Sequence, residues 1–140
     1  MDPTVWLSAE QLDAFKKSPI EGSIAFINLQ TYRARAAYPA GTENPEVTGR
    51  AAYDRYREVA RRMLASVGGR GLWFGTVGLT LVGPPGETWE EAALAEYPSR
   101  QAFLDMIVKP EYRAALVHRF AAIEDCRCYV AQARFRNLDP

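Results

Sequence analysis

The order of the predicted strands and helices constrains the fold of this chain more than any other feature of its sequence. Strands are predicted where β-branched and aromatic residues form short runs, and helices where apolar residues recur every three to four positions. The predicted elements are helices at 8–17, 48–67 and 98–125, the last interrupted by Pro110, and strands at 23–30, 70–82, 89–97 and 126–136. Without the first helix, the order is strand, helix, strand, strand, helix, strand.

This order predicts a single α+β domain in which two helices pack on one face of a four-stranded antiparallel sheet. The chain has 140 residues, of which 48% are hydrophobic, and this length fits one domain with a substantial core. We therefore predict a domain over 20–140 and a helical extension over 1–19. Ser8 and Gln11 have the spacing of a capping box, and Leu7 and Leu12 that of a hydrophobic staple, so the extension should hold a defined helix.

The first strand is apolar on both of its faces. Ile24 and Phe26 share one face, whereas Ala25, Ile27 and Leu29 share the other. Because one layer of helices covers only one face of the sheet, we predict that a second copy of the chain covers the other. A net charge of zero opposes such association only weakly.

Composition excludes several classes of protein. The balance of 17 basic and 17 acidic residues argues against nucleic acid as a partner, and the absence of a long apolar run argues against a membrane span. Cys126 and Cys128 are predicted to be reduced thiols in a cytoplasmic protein, and His118 is the only histidine, so we predict no metal site. We find no nucleotide-binding or other cofactor motif and predict no cofactor. The excess of arginine over lysine is typical of a GC-rich bacterial genome.

Two residues are candidates for proton transfer. His118 is the only side chain whose usual pKa lies near neutrality, and it occupies a different face of its helix from Leu116 and Phe120. It is interpreted either as a general base facing a cavity or as an ordinary helix histidine. Glu96 is a polar residue within an apolar strand, so it is either a second proton-transfer group or a glutamate at a strand edge.

Seven further residues are candidates for ligand binding. Asn28 within the first strand can orient a ligand or bond to backbone, and Tyr53, Tyr56 and Trp73 can stack on a flat organic molecule or simply form core. A long loop at 32–47 carries the remaining candidates and a further tyrosine, Tyr38; we predict that it covers the mouth of the cavity and can clamp an anion. These remaining candidates are Tyr32, Arg33 and Arg35.

The chain also resembles a known family. The segments FINL at 26–29, AYDRY at 52–56 and EYPSRQAFLDMIVKPEYRAALVHR at 96–119 are similar to the bacterial family called domain of unknown function 1330, over about residues 20–136. This resemblance implies a ferredoxin-like βαββαβ protomer that forms a homodimer, the dimeric α/β barrel. The extension before residue 20 and the long loop differ from shorter family members, so a family site near that loop is expected to be reshaped.

The resemblance implies no established activity, because the superfamily includes cofactor-free monooxygenases, lactone isomerases, cyclases and haem proteins. Two hypotheses follow. The first is a cofactor-independent enzyme of monooxygenase, isomerase or cyclase type that acts on a small organic molecule. The second is a non-catalytic protein that binds a small ligand or serves in a stress response. A cavity that contains His118 and a second titratable group would favour the enzyme, whereas a purely structural module would have no cavity.

Overall fold

A computed structural model describes residues 2–137. Met1 and residues 138–140, which the predicted domain limits include, lie outside the described range. These residues fold into four strands and four helices in the predicted order. They are α1 (Ala9–Lys17), β1 (Ile24–Tyr32), α2 (Gly49–Ser66), β2 (Arg70–Thr76), β3 (Glu91–Tyr97), α3 (Arg100–Ile107), α4 (Pro110–Ala122) and β4 (Ile123–Ala131). None of these helices is both long enough and apolar enough to cross a membrane.

The strands form one antiparallel sheet in the order β2-β3-β1-β4. Residues of β1 with even numbers, from Ile24 to Tyr32, face the helices, and those with odd numbers face away. Helices α2 and α4 pack side by side on the first face. This arrangement confirms the predicted α+β architecture and leaves the second face without a covering layer of helices.

The core at one end of the sheet is aromatic. The ring centroid of Phe26 lies 4.7 Å from that of Tyr97 and 4.9 Å from that of Phe103. Phe15 of α1 adds an edge-on contact with Phe103 at 5.3 Å, so α1 packs on the domain. The capping box between Ser8 and Gln11 is present, as predicted. 

Arg100 ties the end of α1 to α3. Its guanidinium donates hydrogen bonds to the backbone carbonyls of Phe15, Lys16 and Ile20, at 3.1, 2.9 and 2.6 Å. Carbonyl oxygens at the C-terminal end of a helix lack partners within the helix. Arg100 therefore satisfies acceptors at this end while fixing the extension to the domain.

The boundaries of β2, β3 and β4 differ from the prediction. β2 ends at Thr76 instead of 82 and β3 begins at Glu91 instead of 89, because residues 77–90 form a long connection that contains Gly78 and two prolines. β4 spans Ile123–Ala131 instead of 126–136. The helix stops at Ala122 because Ile123 pairs with Tyr32 of β1, so tertiary pairing overrides the helical pattern.

The long loop between β1 and α2 lies against the C-terminal end of α4. The backbone N–H groups of Arg33 and Ala37 donate to the carbonyls of Ala122 and Ala121, each at 2.8 Å. The N–H of Gly49 donates to the carbonyl of Arg33 at 3.0 Å, where α2 begins. These bonds hold the loop on the helices.

Candidate functional site

One row of side chains faces the helices and still reaches solvent. Phe74, Ala93, Asn28 and Cys128 lie directly opposite one another on the four adjacent strands, so they share one face of the sheet. The guanidinium of Arg57 in α2 lies 3.7 Å from the ring centroid of Phe74, which identifies this face as the helix side. Phe74 is nevertheless 46% exposed, Cys128 is exposed and Asn28 is half-buried. Phe74 and Cys128 belong to the edge strands β2 and β4, so solvent reaches this row from its two ends, and we call the surroundings of the row the cleft.

A buried polar group borders the cleft on one side. Gln30 and Glu91 are directly opposite residues of β1 and β3 and are only 1% and 2% exposed. The Nε2 atom of Gln30 donates to the Tyr32 hydroxyl at 2.7 Å. The Oε1 atom of Glu91 lies 3.2 Å from Arg50 and 3.7 Å from Arg57, which neutralise its charge. Within residues 2–137, neither Gln30 Oε1 nor Glu91 Oε1 accepts a hydrogen bond.

Tyr53 of α2 connects this group with the opposite end of the cleft. Its ring centroid lies 5.2 Å from those of both Tyr32 and Tyr56. The guanidinium of Arg57 lies over the Tyr53 ring at 4.7 Å. Burial, followed by the neighbouring Glu91, raises the pKa of Tyr32 well above its usual value, so its hydroxyl stays protonated at neutral pH.

Arg119 of α4 forms the other end. It is 6% exposed, and its guanidinium donates to the Val5 carbonyl at 3.1 Å and to Cys126 Sγ at 3.4 Å. The faces of Trp6 and Tyr56 lie 5.2 and 5.4 Å from it. No Asp or Glu of the described chain forms an ion pair with this side chain. An arginine stays protonated even when buried, so a full positive charge lies inside the protein here.

The tyrosine and cysteine side chains near Arg119 have raised pKa values and are protonated at neutral pH. The hydroxyls of Tyr56 and Tyr112 are 2.5 Å apart, and burial raises the pKa of both tyrosines. Burial also raises the pKa of Cys128 to about 12, although the charge of Arg119 acts in the opposite direction. Cys128 is exposed on the edge strand β4.

His118 lies on another side of α4, against the long loop. Its Nδ1 atom is 2.6 Å from the hydroxyl of Tyr38, which also accepts a 3.3 Å hydrogen bond from Arg55. Burial, and then the charge of Arg55, lowers the pKa of His118. These contacts place His118 in a latch between the loop and the helices, apart from the cleft residues.

The two loop arginines also lie apart from the cleft. Arg33 is exposed, and Arg35 forms an exposed ion pair with Glu46 at 3.0 Å. The backbone around them is bonded to the end of α4, so the structure places the loop on the helices and not over Asn28.

Glu96 and Trp73 are on the opposite face of the sheet. Glu96 forms ion pairs with Arg70 at 3.3 Å and with Arg136 at 3.1 Å. Trp73 is 57% exposed, and its indole lies over Gly75, where a Cβ atom would approach it to 2.5 Å. The structure therefore does not bring Glu96 together with His118, or Trp73 together with Tyr53 and Tyr56.

That second face carries an apolar row. The residues directly opposite one another on its four strands are Trp73, Leu94, Ile27 and Tyr129. Trp73 and Tyr129 are more than half exposed, and Ile27 is 37% exposed. Ion pairs lie on both flanks of the row, Arg70 with Glu96 on one side and Arg127 with Asp125 on the other. We call this surface the outer face.

Residues 36–133 match the model of a protein family described as a domain of unknown function, DUF1330. The chain belongs to this family. One similar solved structure is that of RPA0582, a protein of unknown function from Rhodopseudomonas palustris. It is 37% identical to this DUF1330 protein, and the two structures match with a TM-score of 0.86. The match covers 95% of this chain and 98% of that chain. No curated protein matches the sequence.

A more distant structure shows the fold. A dimeric protein of unknown function with a ferredoxin-like fold from Bacteroides fragilis is 19% identical, with a TM-score of 0.51 over 80% of this chain and 97% of that chain. The ferredoxin-like fold predicted for this DUF1330 protein is thereby confirmed, as is its resemblance to the family.

Sequence reasoning missed six residues of the DUF1330 cleft: Gln30, Arg57, Phe74, Glu91, Arg119 and Cys128. The strand alternation that places Asn28 inward also places Gln30 and Tyr32 inward, so Gln30 was within reach of the same argument. In α4 the apolar residues Leu116 and Phe120 are only half-buried. The buried positions of α4 are Tyr112, Ala115, Arg119, Ala121 and Ala122, a stripe of small residues that admits the arginine.

Proposed function

We propose that this DUF1330 protein is a homodimeric enzyme that acts on a small organic molecule bound in the cleft, without a cofactor. The observation that carries the proposal is the unpaired Oε1 atom of Gln30, a residue that is 1% exposed and directly adjacent to the accessible row of Asn28 and Cys128. A buried acceptor without a partner costs about 1–3 kcal/mol. A hydroxyl or amino group of a ligand would remove this cost.

The aromatic residues of the cleft favour a flat ligand. Tyr53 and Phe74 present aromatic rings from the helix and sheet sides, and Arg57 contacts both rings, at 4.7 and 3.7 Å. Aromatic faces bind planar conjugated molecules with a large contact area. Asn28, between them on β1, offers both a donor and an acceptor to such a molecule.

The cleft also contains groups that can move protons. Tyr32 and Tyr56 are protonated donors at neutral pH, and Glu91 is a carboxylate next to Tyr32. A donor and an acceptor on different sides of one ligand support reactions in which a proton leaves one atom and returns to another. Among the three expected reaction types, this arrangement favours an isomerase or a cyclase.

One observation favours the second hypothesis, binding without turnover. His118, the side chain whose usual pKa best suits acid–base catalysis, is paired with Tyr38 outside the cleft. A protein that only sequesters a flat ligand would need the stacking and hydrogen-bonding groups but no general base near neutrality.

The homodimer is proposed from the outer face. The apolar row of Trp73, Leu94, Ile27 and Tyr129 is exposed along the width of the sheet, and monomeric proteins rarely expose such a surface. The charged residues that flank this row already form ion pairs within one chain, so two copies can face each other without bringing these charges together unpaired. An interface on the order of 1,600 Å² is expected.

Binding is tested with matched aromatic probes that differ only in a hydroxyl group. Wild-type protein should be stabilised more by the hydroxylated member of each pair in thermal denaturation. Gln30→Met should lose this difference, whereas Gln101→Met, a change on the exposed side of α3, should keep it. Equal effects of both probes on wild type and on Gln30→Met would refute the role of Gln30.

Catalysis is tested by following each bound probe over hours by proton NMR. New resonances that depend on the protein and disappear in Tyr56→Phe would support the enzyme. Unchanged spectra for every probe that binds would favour the ligand-binding hypothesis. Light scattering at micromolar concentration tests the dimer, and a mass of one chain, 15.7 kDa, would refute it.

A further inference from the structure

Arg119 is a buried cation without a carboxylate. In the part of the chain that the structure describes, its side-chain donors reach neutral groups: the Val5 carbonyl and Cys126 Sγ, at 3.1 and 3.4 Å, and the hydroxyl of Tyr56. A guanidinium has five N–H donors, so these bonds do not use all of them. Burying a charge is costly unless an opposite charge accompanies it, and neutral acceptors do not supply one.

Aromatic rings surround Arg119 without neutralising it. The ring centroids of Trp6, Tyr56 and Tyr53 lie 5.2, 5.4 and 6.0 Å from the guanidinium carbon. Such contacts stabilise a cation less than an ion pair does, but they hold the guanidinium in one place. The geometry is that of a fixed positive group prepared for an anion.

The positive charge of Arg119 acts on residues in the accessible part of the cleft. Cys126, which lies 3.4 Å from the guanidinium of Arg119, is two residues from Cys128 and shares its face of β4. Cys128 lies in the row that reaches solvent, and the charge of Arg119 acts to lower its pKa. Arg119 acts in the same direction on the pKa of Tyr97, on the other side of the row. An anion that enters the cleft over Asn28 and Cys128 therefore comes within the field of this arginine.

We infer that Arg119, together with the hydroxyl of Tyr56, binds the anionic group of the ligand, and that the ligand is a planar conjugated carboxylate. This inference rests on the proposed function, since it identifies the class of molecule that the cleft takes. The fixed guanidinium supplies paired donors for the two carboxylate oxygens. The rings of Tyr53 and Phe74 contact the flat part of the molecule, and Gln30 accepts a hydrogen bond from a hydroxyl or amino substituent.

The test measures calorimetric binding of benzoate and benzamide, which have similar shape but differ in charge. Wild-type protein should bind benzoate about tenfold more tightly than benzamide or better, as expected for a charge-assisted pair. Arg119→Met should lose this preference, because it should weaken the binding of benzoate much more than that of benzamide. Arg113→Met is the control, because it removes an exposed arginine from the same helix, and the preference should persist.

Other outcomes separate this inference from the proposed function. Equal binding of the two probes by wild type, or a preference that survives in Arg119→Met, would overturn the carboxylate inference and leave the cleft as a site for neutral molecules. Absence of binding by either probe would overturn both. Circular dichroism checks the fold of each variant. If Arg119→Met does not fold, Tyr56→Phe should weaken benzoate binding several-fold more than benzamide binding, and equal weakening of the two would refute the inference.

Discussion

Replacing Gly49 by alanine should destabilise the protein, although helix propensity alone predicts the opposite. Gly49 is the first residue of α2 and is buried where the long loop crosses the end of α4. A Cβ atom at this position would lie 2.2 Å from the Arg33 carbonyl oxygen and 2.9 Å from that of Ala122. Both contacts are with backbone, which cannot rotate away as a flexible side chain can.

The magnitude follows from the bonds that must shift. The Gly49 N–H donates to the Arg33 carbonyl at 3.0 Å, and the Arg33 N–H donates to Ala122 at 2.8 Å. Each such bond contributes about 1 kcal/mol, and overpacking adds about 1–3 kcal/mol. Alanine gains about 1 kcal/mol over glycine in a helix. The net loss in the free energy of unfolding should therefore be about 2–4 kcal/mol.

Urea denaturation of wild type and Gly49→Ala measures this loss. Gly71→Ala is a suitable control, since a Cβ atom there would have no neighbour within 4 Å, and its stability should change little. A Gly49→Ala variant as stable as wild type would show that the loop yields without cost and would refute its proposed fixed attachment to α4.

Three further predictions concern other parts of the molecule. The single imidazole of His118, followed by NMR, should titrate below its usual pKa of about 6.5, and Arg55→Gln should raise that pKa. Because the fold favours the neutral ring, this contribution to stability should be complete above about pH 6.5 and be lost as the pH falls through the lowered pKa; a titration at or above 6.5 would contradict the latch with Tyr38. Arg100→Met should speed amide hydrogen exchange in α1 about tenfold or more while leaving α4 unchanged, because it removes three hydrogen bonds to carbonyls at and after the end of α1. Trp73→Asp should convert the proposed dimer to monomers in light scattering, whereas Val108→Asp, an equally exposed apolar site outside the outer face, should not; a dimer that persists in Trp73→Asp would place the interface elsewhere.

The sequence by itself determined features that depend on neighbours in the chain. Strand alternation assigned Ile24 and Phe26 to one face of β1, and helical periodicity assigned Tyr53 and Tyr56 to the inner side of α2. The capping box at Ser8 is equally local, because its donors and acceptors are three residues apart. These patterns have fixed periods, so a single sequence reveals them.

The tertiary structure alone decided which of these residues meet. Gln30 and Glu91 face each other because β1 and β3 pair in one particular register, and no local pattern records that register. The same pairing sends Glu96 to the outer face beside Arg70, away from His118. Arg119 lies inside because the alanines around it let α4 approach α2 closely, with Val5, Trp6 and Cys126 closing around the guanidinium. Contacts between distant segments thus define the cleft, and such contacts arise only when the whole domain is packed.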